Sequence, residues 1–303
     1  MKLCYTMLEM GCIMLLSNDW EDYECIDASC GEKYERWGNI YLLRPDPQVI
    51  WDFGDLSLKY KGKIDAVYHR SNKGGGSWEN LRNVPSSWMI HYHHVSFHIK
   101  QMGFKHTGLF PEQAINWNFM MDKIKDSKRE IHILNLFAYT GGASVACLSA
   151  GAYVTHVDSS RGMVDWCKEN VNSSGYQGDH VRYIVDDVVK FVEREIRRGK
   201  HYDAIIMDPP SYGRGSNGEV WDIEKDLFHL VSLCTELLSN QPLFFLINSY
   251  TTGLSPMVLE NILKLTVQKH TKGIISSGEV GLPIKEQSLV LPCGIYGRWE
   301  SYE

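Results

Sequence analysis

The stretch Leu134–Ser160, LNLFAYTGGASVACLSAGAYVTHVDSS, decides the fold. It runs as an apolar strand, a glycine turn, a helix of small residues, a second apolar strand and an acid. Leu134–Phe137 close the first strand, and AYTGGAS turns sharply into a helix whose free backbone N–H groups can face a carboxylate or phosphate. Gly141 and Gly142 allow that turn and a close backbone approach which a side chain would block. The pattern is not Gly-x-Gly-x-x-Gly, which needs three glycines at set offsets to seat a pyrophosphate.

Outward from this unit the alternation continues. IHILNLF, AYVTHVD, VRYIVDD, YDAIIMD and LFFLINS read as strands. Between them, GASVACLSAG, GMVDWCKENVNSSG, VVKFVEREIRRG and DIEKDLFHLVSLCTELL read as helices. Near-continuous apolar strands separated by helices predict an α/β fold, a doubly wound parallel sheet covered on both faces. After a helix at PMVLENILKLTV, two extended runs flank LPIKEQ and predict a terminal hairpin that brings an antiparallel strand into the sheet.

Upstream the pattern differs. Residues 20–100 carry short alternating runs (NIYLLRP, AVYHRS, WMIHYHH, VSFHIK) and predict a smaller β-rich domain for substrate binding, with SNKGGGSWEN as a mobile connection. Residues 101–127 form a bridging segment in which Pro111 opens a helix running through Trp117 and Met121. Residues 1–19 read as a loosely ordered leader, since Glu9 interrupts its apolar run and no small-residue cleavage site follows. Residues 128–303 form the cofactor-binding catalytic domain.

Composition narrows the class. With 303 residues and 44% hydrophobic content the chain can bury a full core and two domains. A net charge of -6 leaves no overall basic field, so any nucleic-acid contact must be local. The eight cysteines form no Cys-x-x-Cys pair and fit buried thiols in a reducing, cytoplasmic compartment better than disulfides or zinc. No run approaches the roughly 20 apolar residues of a membrane span. HYHHVSFHIK places His91 and His93 on one strand face, a conceivable metal pair, but no matching Cys or acid cluster accompanies them, so no metal site is expected. EREIRRGK reads as an exposed charged helix face.

In a doubly wound sheet, ligands bind beyond the carboxyl ends of the strands, where the strand order reverses. Asp158 ends the second strand of the series, where an acid can accept both hydroxyls of a ribose, each charge-assisted bond being worth roughly 1.5–3 kcal/mol. Asp187 ends the third and can take the amino group of an adenine. The fourth ends in MDPPSYGRG: Asp208 and the carbonyl of Pro209 are acceptors on a turn stiffened by Pro209 and Pro210, and Tyr212 offers a face for base stacking.

LNLFAYTGGAS, HVDSS, VDDVVKF and DPPSYGRG, in this order, resemble the class I S-adenosylmethionine-dependent methyltransferases, in the branch related to bacterial 23S ribosomal RNA methyltransferases. GFKHTGLFPEQ and the closing LPCGIYGRW are similar to that branch too. The resemblance runs from about Tyr23 to the C-terminus. It implies a seven-stranded sheet with an antiparallel last strand and S-adenosyl-L-methionine as cofactor. Carried over by position, it implies that Phe137, Ala138, Tyr139, Thr140 and Gly141 hold the methionine moiety, Asp158 the ribose, and Asp187 and Val188 the adenine. Asn135 and Ser159 complete the set, Phe110 and Gln113 close over the cofactor, and Asp208 stands beside the activated methyl.

With the methyl already activated, the protein's task is alignment of an acceptor, which can lower a barrier by about 7–11 kcal/mol. Related enzymes that methylate C5 of cytosine place a nucleophilic cysteine just after the fifth strand, but here INSYTTG puts Tyr250 there. A tyrosine hydroxyl, with a reference pKa of about 10, is a poor replacement for a thiolate. The Asp-Pro-Pro-Ser-Tyr turn is similar to the motif by which amino methyltransferases hold a planar amine. The reading is therefore methyl transfer to nitrogen, on a base of ribosomal RNA. The alternatives are a cytosine-C5 RNA enzyme, a small-molecule or protein methyltransferase on the same core, and a non-catalytic nucleotide-binding module. Lys59, Lys61, Lys63, Arg70, Lys73 and Arg82, interleaved with Tyr60, Tyr68 and Trp78, are expected to form a basic and aromatic RNA surface, or else a solvated strand face.

Overall fold

The structure, a computed structural model, describes residues 13–71, 75–176, 178–215, 218–251 and 253–302. The chain begins with β1 (Ile13–Leu16), β2 (Tyr23–Ser29), β3 (Glu32–Trp37), β4 (Ile40–Pro45), α1 (Leu56–Lys59), β5 (Ala66–Arg70), β6 (Gly76–Asn80), β7 (Trp88–Tyr92) and β8 (Val95–Ile99). A 3-10 turn at Pro111–Gln113 leads into α2 (Ala114–Ser127). The alternating series follows: β9 (His132–Leu136), α3 (Gly142–Ser149), β10 (Tyr153–Asp158), α4 (Arg161–Ser173), β11 (Val181–Val185), α5 (Val188–Arg197) and β12 (Ala204–Met207). A short ribbon, β13 (Tyr212–Arg214) and β14 (Val220–Asp222), precedes α6 (Ile223–Thr235), β15 (Phe244–Ser249), α7 (Pro256–Leu265), α8 (Val267–His270) and the hairpin β16 (Gly273–Ile284) and β17 (Leu289–Ser301).

Seven strands lie in the order β11-β10-β9-β12-β15-β17-β16, and β17 alone runs antiparallel to its neighbours. The order reverses between β9 and β12, so their carboxyl ends flank a crevice. Side chains alternate between two cores. Ile133, Val154, Ala204, Ile206, Phe244 and Leu246 pack with α2 and α3 on one face. Leu134, Leu136, Val157, Ile205, Met207, Phe245 and Ile247 pack with α5, α6 and α7 on the other. Because strand side chains repeat every two residues, Asn135, Asp158, Asp208 and Asn248 all fall on the α2/α3 face. Polar residues at the ends of four neighbouring strands therefore come from one side of one sheet.

The β-rich region is continuous with this sheet. β16 meets β2 at Ile284 and Cys25, and β3, β4, β5 and β6 follow, giving thirteen strands with β1 beside β16. The β7–β8 hairpin instead docks on α4, where the Asn170 carboxamide accepts the His98 N–H at 2.8 Å and the Trp166 indole donates to the His98 carbonyl at 3.0 Å. Residues 1–12 of the expected leader, with Cys4 and Cys12, lie outside the described residues, while Ile13–Leu16 forms a strand. Of the expected connection SNKGGGSWEN, residues 72–74, Lys73 among them, also lie outside, and Gly76–Asn80 is a strand.

Three expectations are revised by packing. The charged face of α5 is not wholly exposed: Glu195 is fully buried, bound by Arg182, Arg198 and the Tyr202 hydroxyl. His91 and His93 do not share a strand face, because His93 sits in the β7–β8 turn at φ 51° and His91 pairs with Asp22 at 2.9 Å. Cys30 is exposed, whereas Cys25, Cys147, Cys167, Cys234 and Cys293 are buried thiols.

Candidate active site

The β9–α3 turn is built by alternating backbone handedness. Phe137 and Tyr139 both take φ 52° and Gly141 takes φ 87°. A Cβ at Gly141 would lie 2.2 Å from the Cys167 sulfur, so α4 packs where only glycine fits. From this turn the Tyr139 N–H donates to Asp158 Oδ2 at 2.9 Å, and just beyond β10 the Ser160 N–H donates to Oδ1 at 2.8 Å. The Asp158 carboxylate is thereby fixed in orientation. Burial raises its pKa from the usual range, and the two amide bonds work against that rise. Asn170 Nδ2 donates to the Thr140 carbonyl at 2.9 Å, and the Thr140 hydroxyl donates to the Gly108 carbonyl, tying the turn to α4 and the bridge.

Beside it, the DPPS turn leaves β12. Pro209 is buried, and the Pro210 carbonyl accepts the Trp221 indole N–H at 2.7 Å. The Trp221 ring packs 4.8 Å from Phe137, so the β13–β14 ribbon braces both turns. Among the described residues none donates a hydrogen bond to Asp208 that would favour its charge, and burial pushes its carboxyl up to about 6. Across the cleft, Glu112 on the 3-10 turn is pushed up to about 7, by burial first and by the Asp208 charge in addition. At Asn248 the end of β15 is fixed by Asn116 of α2, whose Nδ2 donates to Asn248 Oδ1 at 2.9 Å while its Oδ1 accepts from Arg298 at 2.8 Å.

These elements enclose a cleft of about 530 Å³, within the range of small-molecule and cofactor sites. Of the residues singled out in the sequence, Asn135, Phe137, Ala138, Tyr139, Thr140, Asp158 and Ser159 line it from the β9 and β10 ends. Asp208, Pro209 and Pro210 line it from β12, and Phe110 and Gln113 from the bridge. Gly141, Asp187, Val188 and Tyr212 do not. Asp187 caps α5 and accepts the Lys190 N–H at 3.0 Å, Val188 is buried in the core, and Tyr212 points out at 56% exposure where the ribbon leaves the cleft.

The opposite wall was not foreseen. Lys33, Arg44 and Asp46 from β3, β4 and the following turn reach the cleft with Lys105 and His106 of the bridge and Tyr250 and Cys293. Arg44 grips buried Glu35 through Nε at 2.6 Å and Nη2 at 2.9 Å, and Lys33 joins Glu35 to Asp46 at 3.5 and 3.2 Å. Burial, with the Arg44, Lys105 and Lys33 charges adding to it, pushes His106 down to about 4, so it is neutral at physiological pH. The basic residues expected to face RNA lie elsewhere: Lys59 pairs with Asp27, Arg82 with Asp65, and Tyr60 stacks on Tyr34 in a satellite core.

This frame matches a known family. Residues 60–268 match the family model described as S-adenosylmethionine-dependent methyltransferase, and the chain belongs to that family. A solved SAM-dependent methyltransferase from Agrobacterium tumefaciens is 32% identical and superposes with a TM-score of 0.90, over 96% of this chain and 94% of that one. Among curated proteins, the ribosomal RNA large subunit methyltransferase K/L of Syntrophotalea carbinolica is 29% identical over 212 residues, 67% of this chain and 29% of that protein. The protein of the same name from Pseudoalteromonas atlantica is 31% identical over 51% of this chain and 21% of its own length. The chain thus spans under a third of these curated relatives. Among the described residues no helix is long and apolar enough to cross a membrane, and no cluster of three or more His, Cys, Asp or Glu could hold a metal.

Proposed function

We propose that the protein transfers a methyl group from S-adenosylmethionine to a nitrogen of a ribosomal RNA base. One observation carries the reading: Asn135, Asp158 and Asp208 reach one cleft from adjacent strand ends on the same sheet face. The cleft fits the cofactor because it pairs an oriented carboxylate, Asp158, with a glycine turn at Gly142, where the backbone packs too closely for a side chain. A Cβ there would come within 2.7 Å of the Trp117 ring. In this reading Asp158 and Ser159 hold the ribose, Asn135 and Phe137 to Gly141 the methionine portion, and Phe110 and Gln113 close the site. Asp187 and Val188 stand at the adenine end, though outside the cleft wall.

Bound there, the cofactor supplies a methyl already activated by a sulfonium. The chain's own work is positional. Asp208, ionised above pH about 6, accepts an amine hydrogen together with the Pro209 carbonyl and turns the nitrogen lone pair inward. The stiffness of Pro209 and Pro210 keeps those acceptors fixed, a preorganised arrangement that costs no rearrangement during reaction. Tyr212, exposed on the ribbon that follows the turn, is left for stacking on a base.

Two cleft residues favour nitrogen over C5 of cytosine. Burial pushes the Tyr250 hydroxyl above its usual range, and burial with the Glu112 charge pushes the Cys293 thiol well up. Both shifts favour the neutral forms over the anion that a covalent route needs. The names of the curated relatives support ribosomal RNA as substrate; in this reading residues 20–100 bind the substrate, residues 128–303 are the catalytic part joined through 101–127, and the protein acts in the cytoplasm. Mass mapping of ribosomal RNA treated with wild-type protein, alongside a metabolite panel, tests the substrate. Asp208→Ala is expected to abolish turnover while S-adenosylhomocysteine binding survives; loss of both together, or of neither, rejects the assignment.

A further inference from the structure

The unforeseen wall of the cleft carries one cation whose charge is not spent. Arg44 is committed to Glu35 through two nitrogens, and its Nη1 donates to the Lys105 carbonyl at 2.8 Å, anchoring the bridge backbone there. Lys33 is committed to Glu35 and Asp46. Asp46 in turn accepts the Tyr250 hydroxyl at 3.4 Å. Two cations thus face two carboxylates and cancel. Lys105 stands apart: among the described residues its amine forms no ion pair, and its one bond is to the Pro45 carbonyl at 3.4 Å. An ammonium has three donors, so two remain for a ligand.

The surroundings leave this ammonium only partly hydrated and without a carboxylate partner among the described residues. Lys105 holds its proton less tightly than an ordinary lysine, to about 8, chiefly through burial, with Asp46 opposing and Lys33, Arg44 and Arg70 adding to the effect. A partly buried cation with free donors and no paired carboxylate attracts an oxyanion. Next to it His106, neutral and packed 5.3 Å from Phe110, can offer a further hydrogen bond without altering the charge.

We propose that Lys105, held in place by Arg44, binds a backbone phosphate of the acceptor RNA, so that the wall facing Asp208 fixes the sugar–phosphate strand while the DPPS turn takes the base. The assignment rests on the RNA reading above and deepens it. It also replaces the basic surface around Lys59–Arg82 as the local anchor that an acidic chain needs.

The test measures RNA affinity against salt with S-adenosylhomocysteine present, for wild type, Lys105→Met, Lys105→Arg and a control, Lys61→Met. Thermal midpoints with added inorganic pyrophosphate form a second arm. Loss of one phosphate contact on a single strand lowers the slope of log affinity against log salt by about 0.7. Lys105→Met should show that drop with S-adenosylhomocysteine affinity unchanged, Lys105→Arg should restore the slope, and Lys61→Met should match wild type. Pyrophosphate should stabilise wild type and not Lys105→Met. An unchanged slope in Lys105→Met, or a parallel loss of S-adenosylhomocysteine affinity, overturns the proposal. If wild type binds no RNA, the RNA reading fails, and the pyrophosphate arm still decides: stabilisation that depends on Lys105 keeps an anion site, and its absence removes it.

Discussion

Replacing Asp208 with Asn should make the protein more stable and less active, and both effects follow from burial. The folded protein raises this carboxyl from 3.8 to about 6, so ionising it in place costs about 3 kcal/mol more than in an unfolded chain. With folded-state pKa above unfolded, the group's contribution to stability is complete below pH about 4 and is lost as pH rises through about 6. An uncharged carboxamide of the same shape never incurs that loss. Asp208→Asn should therefore exceed wild type by about 2–3 kcal/mol in urea denaturation at pH 7.5, with the gap closing towards pH 4. Part of the gain comes through Glu112, which would no longer feel the Asp208 charge and should titrate lower. Turnover should fall by about 10²–10³-fold, the scale of losing one preorganised polar contact. A variant less stable than wild type at pH 7.5, or a gap independent of pH, would refute the assignment of this carboxylate as a buried, functionally retained charge.

Wild-type turnover with saturating substrates should decline below pH about 6 as Asp208 protonates; a pH-rate profile flat from 7 down to 5 contradicts its acceptor role. Asp158→Ala strands the Tyr139 and Ser160 amides and should weaken S-adenosylhomocysteine by roughly 1.5–3 kcal/mol, or about 10–150-fold, by calorimetry. Tyr250→Phe should keep turnover within about threefold, since its hydroxyl is bound to Asp46 and stays neutral; loss of activity on the scale of a nucleophile, about 10³-fold or more, would revive a covalent route.

The doubly wound half was legible because its strands are covered on both faces. Runs such as AIIM and the FFLI of β15 are apolar at every position, and that leaves a continuous signal. The strand-end acids were legible for the same reason, as charges at the end of such a run. Asp187 shows the limit: an acid at a strand end also sits at a helix start, where capping Lys190 is an equally good use of its carboxylate. Nothing local separates the two. Tyr212 stands outside the cleft lining for a similar reason: its position depends on the β13–β14 ribbon pairing, which involves only three residues on each strand.

The cleft's far wall was hidden for a different reason. Lys33 and Arg44 read as ordinary outward charges on amphipathic strands of an antiparallel sheet. Only the join of β16 to β2, a single residue pair plus two flanking amide bonds, carries that sheet across to the catalytic side and turns them inward. Charge counting misled as well, since two of the clustered cations between Lys59 and Arg82 are tied to Asp27 and Asp65, and none of the cluster's described residues lines the cleft. Glu35 gave a hint, as an acid on the buried side of β3, fully enclosed and bonded to Arg44 and Tyr23.

The account stands or falls on where an adenosyl ligand sits. A crystal structure of the protein with S-adenosylhomocysteine should show the ribose hydroxyls on the Asp158 carboxylate, the amino-acid end along Phe137–Gly141, and the sulfur turned towards Asp208. Ligand bound away from Asp158, or with its sulfur turned away from the DPPS turn, would contradict it.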